Sequence, residues 1–93
     1  MSETIDTLSC VIADRKANPR EDSYTCRLLD QGDRRILKKV GEEAAEVIVA
    51  ASLEDDERLV SETADLFYHL LVMLEAHDLN WSDVEQELAR RFT

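Results

Sequence analysis

The sequence predicts an all-α fold: a helical bundle in which two long antiparallel helices are flanked by shorter ones. Three observations predict it. Only two Gly and one Pro fall within the 93 residues, so few positions force the backbone out of a helix. Apolar residues recur at three- and four-residue spacing along most of the chain. No segment sustains the apolar–polar alternation of a half-buried strand.

The elements follow in order. "TIDTLSCVIADRKAN", residues 4–18, reads as the first helix, with Ile5, Leu8, Val11 and Ile12 on one face and Thr4 as its cap. Pro19 ends it, because the residue before a proline is pushed out of helical geometry. "PREDS" is a loop, and "SYTCRLLDQG" is a short helix that starts at Ser23 and stops at Gly32. Asp33 is the expected cap of a helix over 34–53. Its apolar residues Ile36, Leu37, Val40, Ala44, Val47, Ile48 and Ala51 fall in one stripe about 120° wide. "EDDE" breaks the pattern, and a second long helix runs over 56–77. Between Leu66 and Leu74 it is apolar on all sides, which predicts burial by several neighbours, in a bundle interior or a subunit interface. "NWSDVEQELARRF" is a last short helix capped by Asn80, with Asp83 three residues on.

A chain of this length forms one domain, residues 1–93, with a thin core that buries about 60–65 % of its unfolded surface. Association with a second copy would relieve that shortage. The net charge of -10 opposes binding to nucleic acid or to an anionic membrane. The longest apolar run, "LFYHLLVML", falls far short of the roughly 20 residues that cross a bilayer. The N-terminus lacks a basic-then-apolar leader pattern, and Cys10 and Cys26 form no CxxC or Cys/His motif. The expectation is a cytoplasmic protein with reduced thiols.

The chemistry concentrates on the two long helices. Glu43 and Glu46 lie three residues apart beside the apolar stripe of the first, with Glu42 on the same side and Lys38 and Lys39 one turn earlier. Glu62 and Asp65 repeat the spacing on the second, and His69 follows four residues later. Two acidic pairs facing each other repel unless a cation lies between them. A hard divalent ion such as magnesium suits oxygen ligands, whereas zinc would call for Cys or His. The bland alternative is that these acids are solvated flanks of a non-catalytic helical dimerisation module. Di-iron bundles need Glu three residues before a metal-binding His; here Leu66 and Leu74 occupy those places. His69 and Tyr68 can be interior residues or can bind a phosphate, while Trp81 and Phe92 read as packing residues. Lys38 and Lys39 become phosphate contacts beside a metal, as do Arg15, Lys16 and Arg20 if the first helix folds over the site.

Four segments, "SYTCRLLDQG", "ILKKVGEEAAEVIVAA", "ETADLFYHLLVML" and "DVEQELARR", together resemble the phosphoribosyl-ATP pyrophosphohydrolases of histidine biosynthesis. The wider resemblance is to the MazG-like all-α nucleoside triphosphate pyrophosphohydrolases, whose EExxE and ExxD signature falls here on Glu42, Glu43, Glu46, Glu62 and Asp65. The resemblance implies magnesium, replaceable by manganese, on Glu43, Glu46, Glu62 and Asp65, with Glu42 or Glu46 accepting the proton of the attacking water. It implies substrate contacts from Lys38, Lys39, Arg15, Arg20, Ser23, Tyr24 and His69. The implied reaction is hydrolysis of phosphoribosyl-ATP to phosphoribosyl-AMP and pyrophosphate, in a homodimer or higher homo-oligomer. The next pathway step, a cyclohydrolase, would need a separate protein. The rival within the same superfamily is a house-cleaning hydrolase of free nucleoside triphosphates such as dCTP or dUTP.

Overall fold

The computed structural model describes residues 3–93, which form five helices and, among the described residues, no strand. They are α1 (Glu3–Ala17), α2 (Tyr24–Gln31), α3 (Asp33–Leu53), α4 (Asp56–Ala76) and α5 (Trp81–Phe92). Ile36 of α3 shares a core with Leu71 and Val72 of α4, while Glu43 meets Glu62. The two long helices therefore run antiparallel, side by side.

Local capping explains most of the boundaries. The Ser23 hydroxyl accepts the Cys26 N–H at 3.1 Å and starts α2. Asp55 accepts the Arg58 N–H at 2.8 Å and starts α4. Asn80 and Asp83 form the reciprocal capping box that their spacing predicted. Two expected caps differ. Thr4 lies inside α1, which already begins at Glu3. Asp33 is the first residue of α3 rather than its cap, because Gly32, at φ 77°, turns the chain directly from α2 into α3. That positive φ favours glycine. The Asp33 carboxylate instead accepts from His77 Nε2 at 3.0 Å, which ties the start of α3 to the end of α4. α4 ends at Ala76, one residue earlier than the sequence predicts, and Asp78 follows in a left-handed conformation at φ 60°.

The core lies at one end of the α3–α4 pair. Ile12, Leu28, Ile36, Leu71 and Val72 are its buried centre, drawn from α1, α2, α3 and α4. The Phe67 and Trp81 rings meet edge-on with centroids 4.8 Å apart, which brings α5 in. Between Leu66 and Leu74 α4 is thus only partly covered within the chain: His69, Leu71 and Val72 are buried and the rest half-buried. The opposite end of the pair stands bare. Ile48 is 68 % exposed, Leu53 82 % and Val60 70 %. The accessible surface of 6483 Å² exceeds the roughly 5500 Å² expected of a compact 10.6 kDa protein. The radius of gyration, 14.2 Å, likewise exceeds the roughly 12 Å of a compact chain of this length. No helix is long and apolar enough to cross a membrane among the described residues.

Candidate metal centre

Two antiparallel helices that each place an acid every three residues beside their shared seam bring those acids face to face. Carboxylate oxygens of Glu43, Glu62 and Asp65 lie within 4.8 Å of one another. Glu43 and Glu62 are 7 % and 4 % exposed, whereas Asp65 stands open to solvent. Glu46 lies close to Glu62 on the facing helix. That contact, burial and the Glu46 charge push the Glu62 carboxyl up to about 7, while Arg58 pulls it down.

Two cations balance the cluster. Lys39 Nζ lies 3.2 Å from Glu43 and 3.7 Å from Glu42. Its hydrogen bond to Glu43 raises its pKa. Arg58 donates to Glu62 Oε1 at 3.0 Å. Arg58 is not among the residues the acidic motifs point to, although its i, i+4 spacing to Glu62 is a signal for it. Even so, Glu43 Oε2 and Glu62 Oε2 are buried with no hydrogen-bond partner. Buried carboxylate oxygens are ordinarily satisfied. A donor set made only of carboxylate oxygens, with unpartnered atoms from both helices at its centre, fits a hard divalent cation.

α2 is tied to this wall by a second, neutral set of contacts. The Asp65 carbonyl can only accept, so in the neutral ring His69 Nδ1–H donates to it at 2.7 Å. Nε2 then accepts the Tyr24 hydroxyl at 3.1 Å. His69 is 6 % exposed, and both of its ring nitrogens are engaged within the chain. The hydroxyls of Thr25 and Tyr68 hydrogen-bond to each other beside it. Ser23, expected among the substrate contacts, caps α2.

Arg15 and Arg20 are not brought to the acids. Arg15 pairs with Asp14 and Arg20 with Asp22. Arg15 lines a separate cavity of about 480 Å³ with Lys16, Cys26, Leu29 and Asp33, and none of the four carboxylates borders it. The reason is the path of α1, which packs on α2, α4 and α5 instead of folding over the acidic edge of α3. Lys38 lines a separate pocket with Gln31, Arg34 and Arg35, which none of the four carboxylates borders.

An all-α bundle whose central antiparallel pair carries EExxE on one helix and ExxD on the next has the form of the helical nucleotide pyrophosphohydrolases. Comparison with known proteins narrows that class. Residues 5–92 match the phosphoribosyl-ATP pyrophosphohydrolase family, and the chain belongs to it. It is 50 % identical over 90 residues to a phosphoribosyl-ATP pyrophosphatase of Sulfurisphaera tokodaii, covering 97 % of this chain and 96 % of that one. It is 47 % identical over 90 residues to one from Clostridium botulinum, covering 97 % and 82 %. A histidine biosynthesis bifunctional protein of Synechocystis is 46 % identical over 90 residues, which make up 42 % of its length.

Proposed function

We propose that this protein hydrolyses phosphoribosyl-ATP to phosphoribosyl-AMP and pyrophosphate, the second step of histidine biosynthesis, with magnesium held at the acidic cluster. Membership of the family supports the reaction. The observation that carries the site is the pair of buried, unpartnered oxygens on Glu43 and Glu62, beside Asp65. Glu43, Glu62 and Asp65 would hold the ion, and Glu46 completes the set through Glu62. Bound there, magnesium or manganese neutralises phosphate charge and acidifies a water ligand.

The chain's own residues supply the rest. Attack of water on the α-phosphorus forms one P–O bond and breaks the bridge to the β-phosphorus. Glu46 or Glu42, both solvent-facing, accepts the proton that this water loses. Lys39, already beside the carboxylates, is placed to neutralise phosphate oxygens. The His69–Tyr24 contacts fix the turn of α4 that carries Asp65, and so act by positioning.

The reading includes a homodimer or larger assembly of single-domain chains in the cytoplasm. The bare Ile48, Leu53 and Val60 support it, as does surface about 1000 Å² in excess of a compact monomer, comparable with one partner's share of a standard interface. The test is pyrophosphate release from phosphoribosyl-ATP, with magnesium and with a chelator, beside dCTP and dUTP. Magnesium-dependent release from phosphoribosyl-ATP is expected. Faster release from dCTP or dUTP would replace this substrate with a free nucleotide.

A further inference from the structure

Acidic residues outnumber basic ones 21 to 11, so an uncommitted cation is unusual in this chain. Almost every Lys and Arg among the described residues rests against a carboxylate, or, for Arg27, over the Tyr24 ring. Among the described residues, Arg34, Arg35 and Lys38 are the exceptions, with no hydrogen bond or ion pair from their side chains. All three line one open pocket of about 280 Å³ with Gln31, at the corner where α2 turns into α3. Three unpaired positive charges around one concavity make a site for a compact anion, and guanidinium groups favour phosphate.

Distance decides which phosphate. Arg35 lies on the same side of α3 as Glu42 and Glu46, but about 12 Å along the axis from Glu43. A pyrophosphate leaving group must stay in contact with the cation, whereas Arg34 and Arg35 are set about 12–13 Å along the axis from Glu43, with Lys38 on the nearer rim at about 7.5 Å. The substrate proposed above carries a second phosphate, on the ribosyl unit joined to its adenine, well away from the triphosphate. We propose that Arg34, Arg35 and Lys38 bind that ribosyl phosphate, while the acidic cluster holds the triphosphate end. This inference rests on phosphoribosyl-ATP being the substrate, and it supplies a reason for discrimination against free nucleoside triphosphates, which have no second phosphate to fill the pocket.

The test is steady-state kinetics of the Arg34→Gln, Arg35→Gln double variant. KM for phosphoribosyl-ATP is expected to rise by about tenfold or more with kcat within about twofold, and Arg→Lys at both positions to restore most of the affinity. Ribose 5-phosphate, which carries only the far phosphate, should inhibit the wild type and lose potency in the double variant. Inhibition by pyrophosphate should be unchanged. An unaltered KM, or equal weakening of both inhibitors, would overturn the proposal. If the wild type releases no pyrophosphate from phosphoribosyl-ATP, the functional reading fails. The pocket is then judged by calorimetry, in which binding of ribose 5-phosphate that the double variant lacks supports it and no binding refutes it.

Discussion

Glu62 shows how the site's chemistry depends on one residue's surroundings. Its carboxyl is buried against Glu46 and held up to about 7, from an ordinary 4.5, so it keeps its proton where an unfolded chain would lose it. Without metal, ionising it costs stability. The folded protein should therefore weaken as pH rises from about 4.5 through 7 and stay weakened above that. A divalent cation favours the ionised form, so magnesium should raise the melting temperature most at pH 8 and least at pH 5. Melting curves across that range, with and without magnesium, check the sign. Glu62→Gln should remove both the alkaline weakening and the magnesium response. Asp65 is exposed, so Asp65→Ala should leave the melting temperature within about 4 °C while cutting kcat more than about a hundredfold. Wild-type turnover in that variant would remove Asp65 from the site. The acids themselves were legible, because i, i+3 spacing on a helix survives any tertiary arrangement. That Glu43 and Glu62 are buried while Asp65 and Glu46 are not was illegible, since it depends on how closely α3 and α4 approach.

At the scale of elements, the helices were legible and their joints less so. Ser23 and Asn80 were read correctly as starts, because each has a free backbone N–H two or three residues on and no partner from a distant segment. Asp33 was misread because its carboxylate is taken by His77, forty-four residues away, which no local rule can see. The capping box gives a direct check on α5. Asn80→Ala should destabilise the protein by about 1 kcal/mol, a fall of about 4–8 °C in melting temperature. Tyr24→Phe tests the tie between α2 and the acidic wall. It removes the hydroxyl that meets His69 and leaves the ring stacked on Tyr68, at a cost of about 1 kcal/mol. No loss of stability in thermal melts would mean that the contact is not a tether.

The whole molecule is a small packed end and a long bare one. α1, α2 and α5 cover the half of the hairpin that holds Ile36, Leu71 and Val72, and leave Ile48, Leu53 and Val60 at its tip in water. A second copy laid along that tip would hide them. Sedimentation should accordingly give a mass at least twice the 10.6 kDa chain, and Ile48→Glu with Leu53→Glu should shift it towards that of one chain. A wild-type monomer at the same concentration would remove the assembly from the reading. The sequence places Ile48 in the same apolar stripe as Ile36, yet Ile36 is buried and Ile48 is not. A stripe records which face is apolar but not how far along it the neighbours reach.

The sequence by itself determined the helical class, the two long antiparallel elements, the acids that line their seam and the family to which they belong. The helices and their acids rest on periodicity and spacing, which are properties of a single helix, and the family on the resemblance of four segments. Only the tertiary structure decided that α1 passes away from the acids, taking Arg15 and Arg20 with it. Only the tertiary structure assigned His69 to the chain's interior. Those outcomes depend on packing between segments far apart in the chain, where the choice of neighbour is made by the fit of whole surfaces and not by any local pattern.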